Sequence, residues 1–195
     1  MLDSSIRIML KPESIPWESI HDVIWQSHEG NRSNGIIMRY PSLSGEEIQQ
    51  KLGTEGKMLV AITGDGKLVG TAAFLPKEAT FWFGKGTFAY CCFASILPEF
   101  NGKGIYKEMC RIQEQMARDA GLDMMLFDTH EKNVRNLSHS IKAGYRYVDY
   151  KHFKDHYNVV LVKWLNGCPY SNFRCSYNYH IRRIKVLLSA LLYAR

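Results

Sequence analysis

Nowhere do the 195 residues run to the ~18 uninterrupted apolar positions that a membrane-spanning helix needs. No basic and aromatic residues interleave in a stripe, and neither a zinc-finger nor a helix-turn-helix spacing occurs, so nucleic acid is not an expected partner. The net charge of +6 is mild and spread along the chain, which suits a small anionic ligand. Cysteines are few and odd in number, five, so they do not read as a disulfide framework. Cys168, Cys175 and His180 fit no common zinc spacing, and no metal is expected. The first ten residues carry Asp3 and Arg7 within their only apolar stretch, which is not the pattern of a secretory leader. Together these point to a reduced, cytoplasmic protein.

What is present is enough apolar material for a core. Hydrophobic residues make up 46% of a chain whose length suits one domain. Ser5 to Leu10 alternates weakly and reads as a first strand. Pro16 suits a helix start, with Trp17, Ile20, Ile24 and His28 on one face, and the polar run Gly30 to Gly35 should end that element. Ser44 with Glu47 three residues on forms a capping box, opening a second helix. Met58 to Ile62 and Leu68 to Leu75 are strands around a Gly64-Asp65-Gly66 turn, and Phe81 to Phe83 reads as their continuation into a ribbon. Phe88 to Leu97 has no charge, as expected of a strand buried on both faces. Ile105, Met109, Ile112, Met116 and Ala120 recur at helical steps, stopped by Gly121. Met124 to Phe127 is a short buried strand. Val134, Leu137 and Ile141 mark a helix ending near Gly144, and Val159 to Val162 is the last clear strand. A meander followed by alternating elements predicts an α/β architecture, an α+β mixed sheet with helices on both faces.

Gly-Lys-Gly occurs twice. Gly84-Lys85-Gly86 precedes strand formers and reads as a turn between strands. Gly102-Lys103-Gly104 follows a buried strand and opens a helix, where bare N–H groups and the helix dipole favour an anion. Lys103 and Lys107 add positive charge. By itself that turn reads first as a tight connection with solvated lysines.

The wider pattern decides differently. The stretch from Phe93 through Ala94, Ser95, Ile96, Pro98, Glu99 and Phe100 to Asn101-Gly102-Lys103-Gly104-Ile105-Tyr106 resembles the coenzyme A motif of the GNAT superfamily of N-acetyltransferases. Asn133-Val134-Arg135-Asn136 and Ser140-Ile141-Lys142-Ala143-Gly144-Tyr145 are similar to that family's later helix and its glycine-aromatic ending, and the likeness covers about residues 6 to 164. It implies a GNAT-like acyl-CoA N-acyltransferase fold over residues 1–165, with 166–195 as an aromatic and basic C-terminal helical extension. It implies acetyl-CoA as acyl donor and no metal. The coenzyme would be held by Ala94, Ser95, Ile96, Asn101, Gly102, Lys103, Gly104, Ile105, Tyr106, Lys107, Asn133 and Asn136. The sequence departs from the family motif at two positions. Asn101 stands where Gln or Arg is usual, and the bulky Tyr106 stands where a small residue is usual; its hydroxyl is a potential phosphate donor.

The implied reaction is direct attack of a primary amine, on a small molecule or sugar, on the thioester carbonyl. A base that deprotonates the ammonium is typically worth about 10²–10⁴-fold. Asp128 and His130 are the candidates, Asp128 because some family members carry a carboxylate there, His130 for its titration range. The family's usual acid is a tyrosine at the position held here by Ser140, which leaves Tyr145, Tyr147 and Tyr106 as nearby phenols, Tyr145 foremost. A non-catalytic acyl-CoA sensor is the alternative, and a membrane-docked interaction protein a third reading.

The tail is aromatic through Trp164, Tyr170, Phe173, Tyr177 and Tyr179, then basic and amphipathic from His180 to Arg195. Ile181, Ile184, Leu188 and Leu191 share a face beside Arg182, Arg183 and Lys185. Docking on its own core or across a homodimer is favoured over contact with a membrane surface.

Overall fold

The structure is a computed structural model that describes residues 2–36, 40–153 and 156–193. Seven strands form one sheet: β1 (Ile6–Leu10), β2 (Lys57–Thr63), β3 (Leu68–Phe81), β4 (Gly84–Ile96), β5 (Met124–His130), β6 (Arg146–His152) and β7 (Tyr157–Trp164), in the order β1-β2-β3-β4-β5-β7-β6. All neighbours are antiparallel except β4 and β5. The helices are α1 (Trp17–Ser27), α2 (Glu29–Ser33), α3 (Gly45–Leu52), α4 (Ile105–Asp119), α5 (Val134–Lys142) and α6 (Asn172–Tyr193). The expected mixed α/β architecture is the observed one.

Strand alternation sorts side chains onto two faces. On one face, Ile105 and Met109 of α4 pack on Leu59, Ala61 and Val69. There too, Ala117 of α4, Leu137 of α5 and Tyr179 of α6 meet Ala89, Met125, Phe127 and Leu161. On the other face, Ile20 and Ile24 of α1 with Ile48 and Leu52 of α3 cover Met58, Val60 and Cys92. These helices reach only the β2–β4 half. Beyond them the same face is floored by Phe88, Leu126, Val148 and Val160, with Phe81, Phe83 and Trp164 beside them. The tip of the β3–β4 hairpin reaches across, where Trp82 Nε1 donates to the Val148 carbonyl at 3.1 Å.

Local signals performed well where they were chemically explicit. Ser44 and Glu47 make the reciprocal capping box, with bonds of 2.8 and 3.2 Å. Several expectations are corrected. The polar run after α1 does not simply end it, because Glu29–Ser33 forms the short helix α2. Phe81 ends β3, and the hairpin turns at Trp82 and Phe83, so Gly84-Lys85-Gly86 begins β4 instead of connecting strands. A Cβ at Gly86 would sit 2.5 Å from Met124 Cε, so the flexible end of that side chain would have to swing aside. Val134 is 69% exposed and contributes nothing to the buried side of α5. β5 runs on to His130, so Asp128 lies inside a strand and not at its end. The tail forms α6, docked on β6; of its expected apolar stripe, the Leu191 side chain lies outside the described residues, as do Ala194 and Arg195.

Candidate active site

The parallel strands β4 and β5 pair over only three positions, Phe88 with Met124, Ala89 with Met125 and Tyr90 with Leu126. Past Tyr90 they part. β4 stays with β3 up to the pair Ile96 and Gly70, and β5 stays with β7 up to His130 and Asn158. A wedge therefore opens, bordered on one side by backbone from Cys91 through Ala94, Ser95 and Ile96. A bulge sharpens it. Two residues of β4 oppose one of β3 between Cys92 and Ser95, and Phe93 takes φ 54°. Thr71 Oγ1 donates to the Phe93 carbonyl at 2.8 Å and holds the bulge.

Sequence reasoning placed His28 on α1 without a role. The structure brings its Nε2 within 3.2 Å of Ser95 Oγ, on the wedge-bordering strand. Asn31 Nδ2 donates to the other ring nitrogen at 2.9 Å, which leaves the proton on Nε2 to donate to Ser95. Burial, with the nearby Arg32 charge, pulls the His28 pKa down to about 4, so the ring is neutral near pH 7. A lone histidine before a polar loop carries no sequence signal for this contact.

At the mouth of the wedge lies the second glycine turn. Pro98–Phe100 is one turn of 3-10 helix, and the backbone reverses through Gly102 (φ 82°) and Gly104 (φ 79°). Gly104 is the N-cap of α4, and no side chain among the described residues caps this end. The first backbone bond here runs from Glu108 N–H to the Gly104 carbonyl at 3.1 Å. Among the described residues no acceptor meets the N–H groups of Ile105, Tyr106 or Lys107. Three donors and the positive end of a 15-residue helix thus face one point. Lys107 is exposed nearby. Lys103 is turned away, 3.6 Å from Asp3 and over the Phe100 ring. Asn101 is exposed at the start of the turn.

Asn133 and Asn136 sit at the start of α5, and their side chains are engaged there. Asn133 Nδ2 donates to Thr129 Oγ1 at 3.1 Å, and its Oδ1 caps Asn136 N–H at 3.4 Å. The Ser140 hydroxyl donates to the Asn136 carbonyl at 2.9 Å, so its proton is committed within the helix.

On the helix-covered side of the apex, four acidic hydrogens gather. The Tyr145 hydroxyl, buried, lies 3.8 Å from Met125 Sδ and interacts with the Cys91 thiol. Tyr106 is 39% exposed as a residue, yet its hydroxyl turns inward onto Cys110. Burial pushes Tyr145, Tyr106 and Cys91 well above their ordinary values and Cys110 up to about 11. All four are protonated at neutral pH.

The open side of the apex is a cavity of about 440 Å³. Alternate residues of five strands line it, among them Phe88, Tyr90, Asp128, Lys151 and Val160, with Lys51 from the last turn of α3. Asp128 is in its wall and is held at both oxygens. Tyr90 donates to Oδ1 and Asn158 Nδ2 to Oδ2, each at 2.6 Å. Asn158 Oδ1 is buried, and among the described residues no donor meets it. His130 is buried and stacked on His156 with ring centroids 5.4 Å apart. Lys132 N–H donates to His130 Nδ1 at 3.0 Å, so Nδ1 acts as an acceptor and the ring hydrogen is placed on Nε2. Cys92 is in the wall too; burial pushes its thiol up to about 12, which removes it as a nucleophile. The structure therefore brings Asp128 and His130 together in the cavity and keeps Tyr145 on the opposite side of the sheet.

A seven-stranded mixed sheet that splays beside an uncapped helix N-terminus, with a cavity across the apex, defines the acyl-CoA N-acyltransferase class of fold. Residues 17–138 match the model of the Acetyltransferase (GNAT) family, and the chain belongs to that family. Solved structures agree on the fold. A GNAT-family acetyltransferase of Staphylococcus aureus Mu50 superposes with TM-score 0.64 at 17% identity, over 82% of this chain and 99% of that one. The PaiA N-acetyltransferase of Thermoplasma acidophilum, in complex with coenzyme A, gives 0.62 at 19% identity over 82% and 99%. A Bacillus subtilis acetyltransferase in complex with CoA gives 0.60 at 17% identity over 82% and 98%. No curated protein sequence matches the chain.

Proposed function

We propose that this chain transfers the acetyl group of acetyl-CoA to a primary amine of a small molecule, by direct attack within a ternary complex. The observation that carries this is the parting of β4 and β5 at Tyr90 and Leu126. The uncapped helix N-terminus follows β4, and the cavity lined by Asp128 lies beside the point where β4 and β5 part. The N–H groups of Ile105, Tyr106 and Lys107, with the close approach allowed at Gly102 and Gly104, bind the pyrophosphate. Asn101 and Lys103 flank it, and Asn133 and Asn136 shape the wedge from the α5 side. The backbone at Ala94, Ser95 and Ile96 pairs with the pantetheine amides, as one strand pairs with another, and aims the thioester at the apex.

Asp128 receives the acceptor's ammonium, and its two fixed hydrogen bonds hold one oxygen lone pair toward the cavity. The proton leaves through that carboxylate or a water beside it. The free amine then adds to the thioester carbon, the C–S bond breaks, and the second proton of the nitrogen passes to the departing sulfur, so coenzyme A leaves as the thiol. Of the buried neutral phenols, Tyr106 would reach that sulfur by turning its hydroxyl from Cys110 toward the wedge, while Tyr145 stays on the covered side of the sheet. The high thiol pKa of Cys92 supports direct transfer over an acyl-cysteine intermediate. His130 acts through position, as a buried wall residue stacked on His156. The free cysteines are consistent with a reducing, cytoplasmic setting. Among the described residues no helix is long and apolar enough to cross a membrane.

The test is release of coenzyme A thiol from acetyl-CoA across a panel of primary amines, beside calorimetric titration with coenzyme A. Amine-dependent thiol release supports the reading. Tight coenzyme binding with no release for any amine overturns it in favour of an acyl-CoA sensor.

A further inference from the structure

We propose that the acceptor is an anionic amine, one small molecule carrying both the reacting nitrogen and a carboxylate or phosphate. This rests on the acyl-transfer reading above and specifies its substrate. Among the described residues the cavity has one carboxylate available to a ligand, Asp128, because Asp149 is taken by Arg182 at 2.8 Å. It has three lysines, Lys51, Lys77 and Lys151, and among the described residues no carboxylate pairs with any of them. Lys77 Nζ lies 5.2 Å from the centre of the Tyr90 ring, whose hydroxyl donates to Asp128. Lys77, Lys51 and Asp128 line the same cavity as Cys92, so cationic and anionic groups share its wall.

A polycation would meet Asp128 once and the lysines several times, a net repulsion. A zwitterion meets both signs favourably, its nitrogen at Asp128 and its anion at Lys77 and Lys151. Phe81, Phe88, Leu126 and Val160 fill the space between with apolar surface, so an aromatic or branched body fits. A volume of about 440 Å³ suits a single small molecule.

The experiment pairs amines that differ only in the anion: phenylalanine with phenethylamine, phosphoethanolamine with ethanolamine, and spermidine as the polycation. Thiol release and calorimetric binding to the coenzyme-saturated protein are both measured. The expected result is at least about a tenfold preference for one anionic member over its partner. In Lys77→Met/Lys151→Met that acceptor's KM should rise about tenfold, with kcat little changed and the partner amine unaffected. Which pair responds separates carboxylate from phosphate. Turnover of phenethylamine, ethanolamine or spermidine at equal or higher efficiency overturns the anionic acceptor while acyl transfer stands. Without turnover, equal binding of both members of each pair overturns it as well.

A different observation carries a second inference: α6 presents a docking surface for anionic lipid. Phe173, Tyr177, Ile181, Ile184 and Leu188 follow one another at steps of four, four, three and four, and all are more than a third exposed. The opposite side of the helix is anchored by the buried Cys175 and Tyr179. Arg182 and Arg183 reach Asp149 and Glu131 on the body and hold the stripe outward. No acidic residue follows Asp155 in the chain, while Arg174 and Lys185 adjoin the stripe. Two copies of α6 face to face would bring only like charges together. Anionic headgroups over an acyl boundary match both the charge and the apolar side chains. Full-length protein should sediment with vesicles of phosphatidylglycerol and phosphatidylcholine. It should do so at least about fivefold less with pure phosphatidylcholine or in about 0.5 M salt. Ile184→Ser/Leu188→Ser should abolish sedimentation without changing the melting temperature. Failure to sediment with the anionic vesicles overturns the proposal, as does a dimer in light scattering that the double variant makes monomeric.

Discussion

Removing the His28 imidazole should change how stability depends on pH, and the size of the change follows from its surroundings. The ring is packed between Asn31 and Ser95, with Arg32 close by, and its pKa falls from 6.5 to about 4. In the unfolded chain it protonates near its ordinary value. Above about pH 6.5 both states hold a neutral ring and this group gives no pH dependence. As pH falls from about 6.5 to 4 the unfolded state takes the proton first, so stability is lost through that window. Roughly 2.5 pH units correspond to about 3 kcal/mol, the most that this one group withdraws once pH is below its folded value. In His28→Gln the amide keeps hydrogen-bonding capacity and does not titrate. Urea unfolding of both proteins at pH 7.5, 6.5, 5.5 and 4.5 should show the wild type ahead at the highest pH, by the value of its better-fitting contacts. That lead should shrink steadily, by about 2 kcal/mol or more at the lowest pH. Other acidic groups titrate in both proteins and cancel in the difference. A stability difference independent of pH would show that His28 titrates alike in both states, and would refute the account of its burial.

Replacing Asp128 by Asn keeps an acceptor for Tyr90 and removes the charge; kcat for amine acetylation should fall about 10²–10³-fold, read by thiol release, with coenzyme affinity unchanged by calorimetry. A Cβ at Gly104, where φ is 79°, forces a left-handed residue at the uncapped N-terminus of α4. Gly104→Ala should therefore raise the coenzyme A Kd about tenfold, while the acceptor's KM at saturating coenzyme changes little. Ser44→Ala removes one bond of the capping box and leaves Glu47 without its reciprocal partner. It should cost about 1 kcal/mol and lower the melting temperature by roughly 2–4 °C, with no effect on thiol release at 25 °C.

Features that depend on neighbours in the chain were legible early. The Ser44 box, the apolar spacing of α4 and the two positive-φ glycines before it are set by backbone sterics within a few residues. That is why the phosphate-type turn could be told from Gly84-Lys85-Gly86 by its flanking elements alone. The boundaries of β3 and β5 were less legible, because both strands continue through polar residues whose place in the sheet is decided by a partner strand. Lys77 and Glu78 pair with Phe88 and Thr87, and Asp128 with Val160.

The amino-acid sequence by itself determined the mixed α/β class, the strand-turn-helix that opens toward an anion, and the presence of a carboxylate in the segment that follows α4. Tertiary structure alone decided where these meet. The parting of β4 from β5 is a matter of sheet register, and it sends Tyr90 and Asp128 to the open face while Cys91 and Tyr145 go to the covered one. Side chains alternate every residue along a strand, so one step of register exchanges the two sets, and no local pattern records which step is taken. The same holds for His28 beside Ser95, and for the lysines around the cavity, which come from α3, β3 and β6 and become neighbours only once the sheet has closed over them.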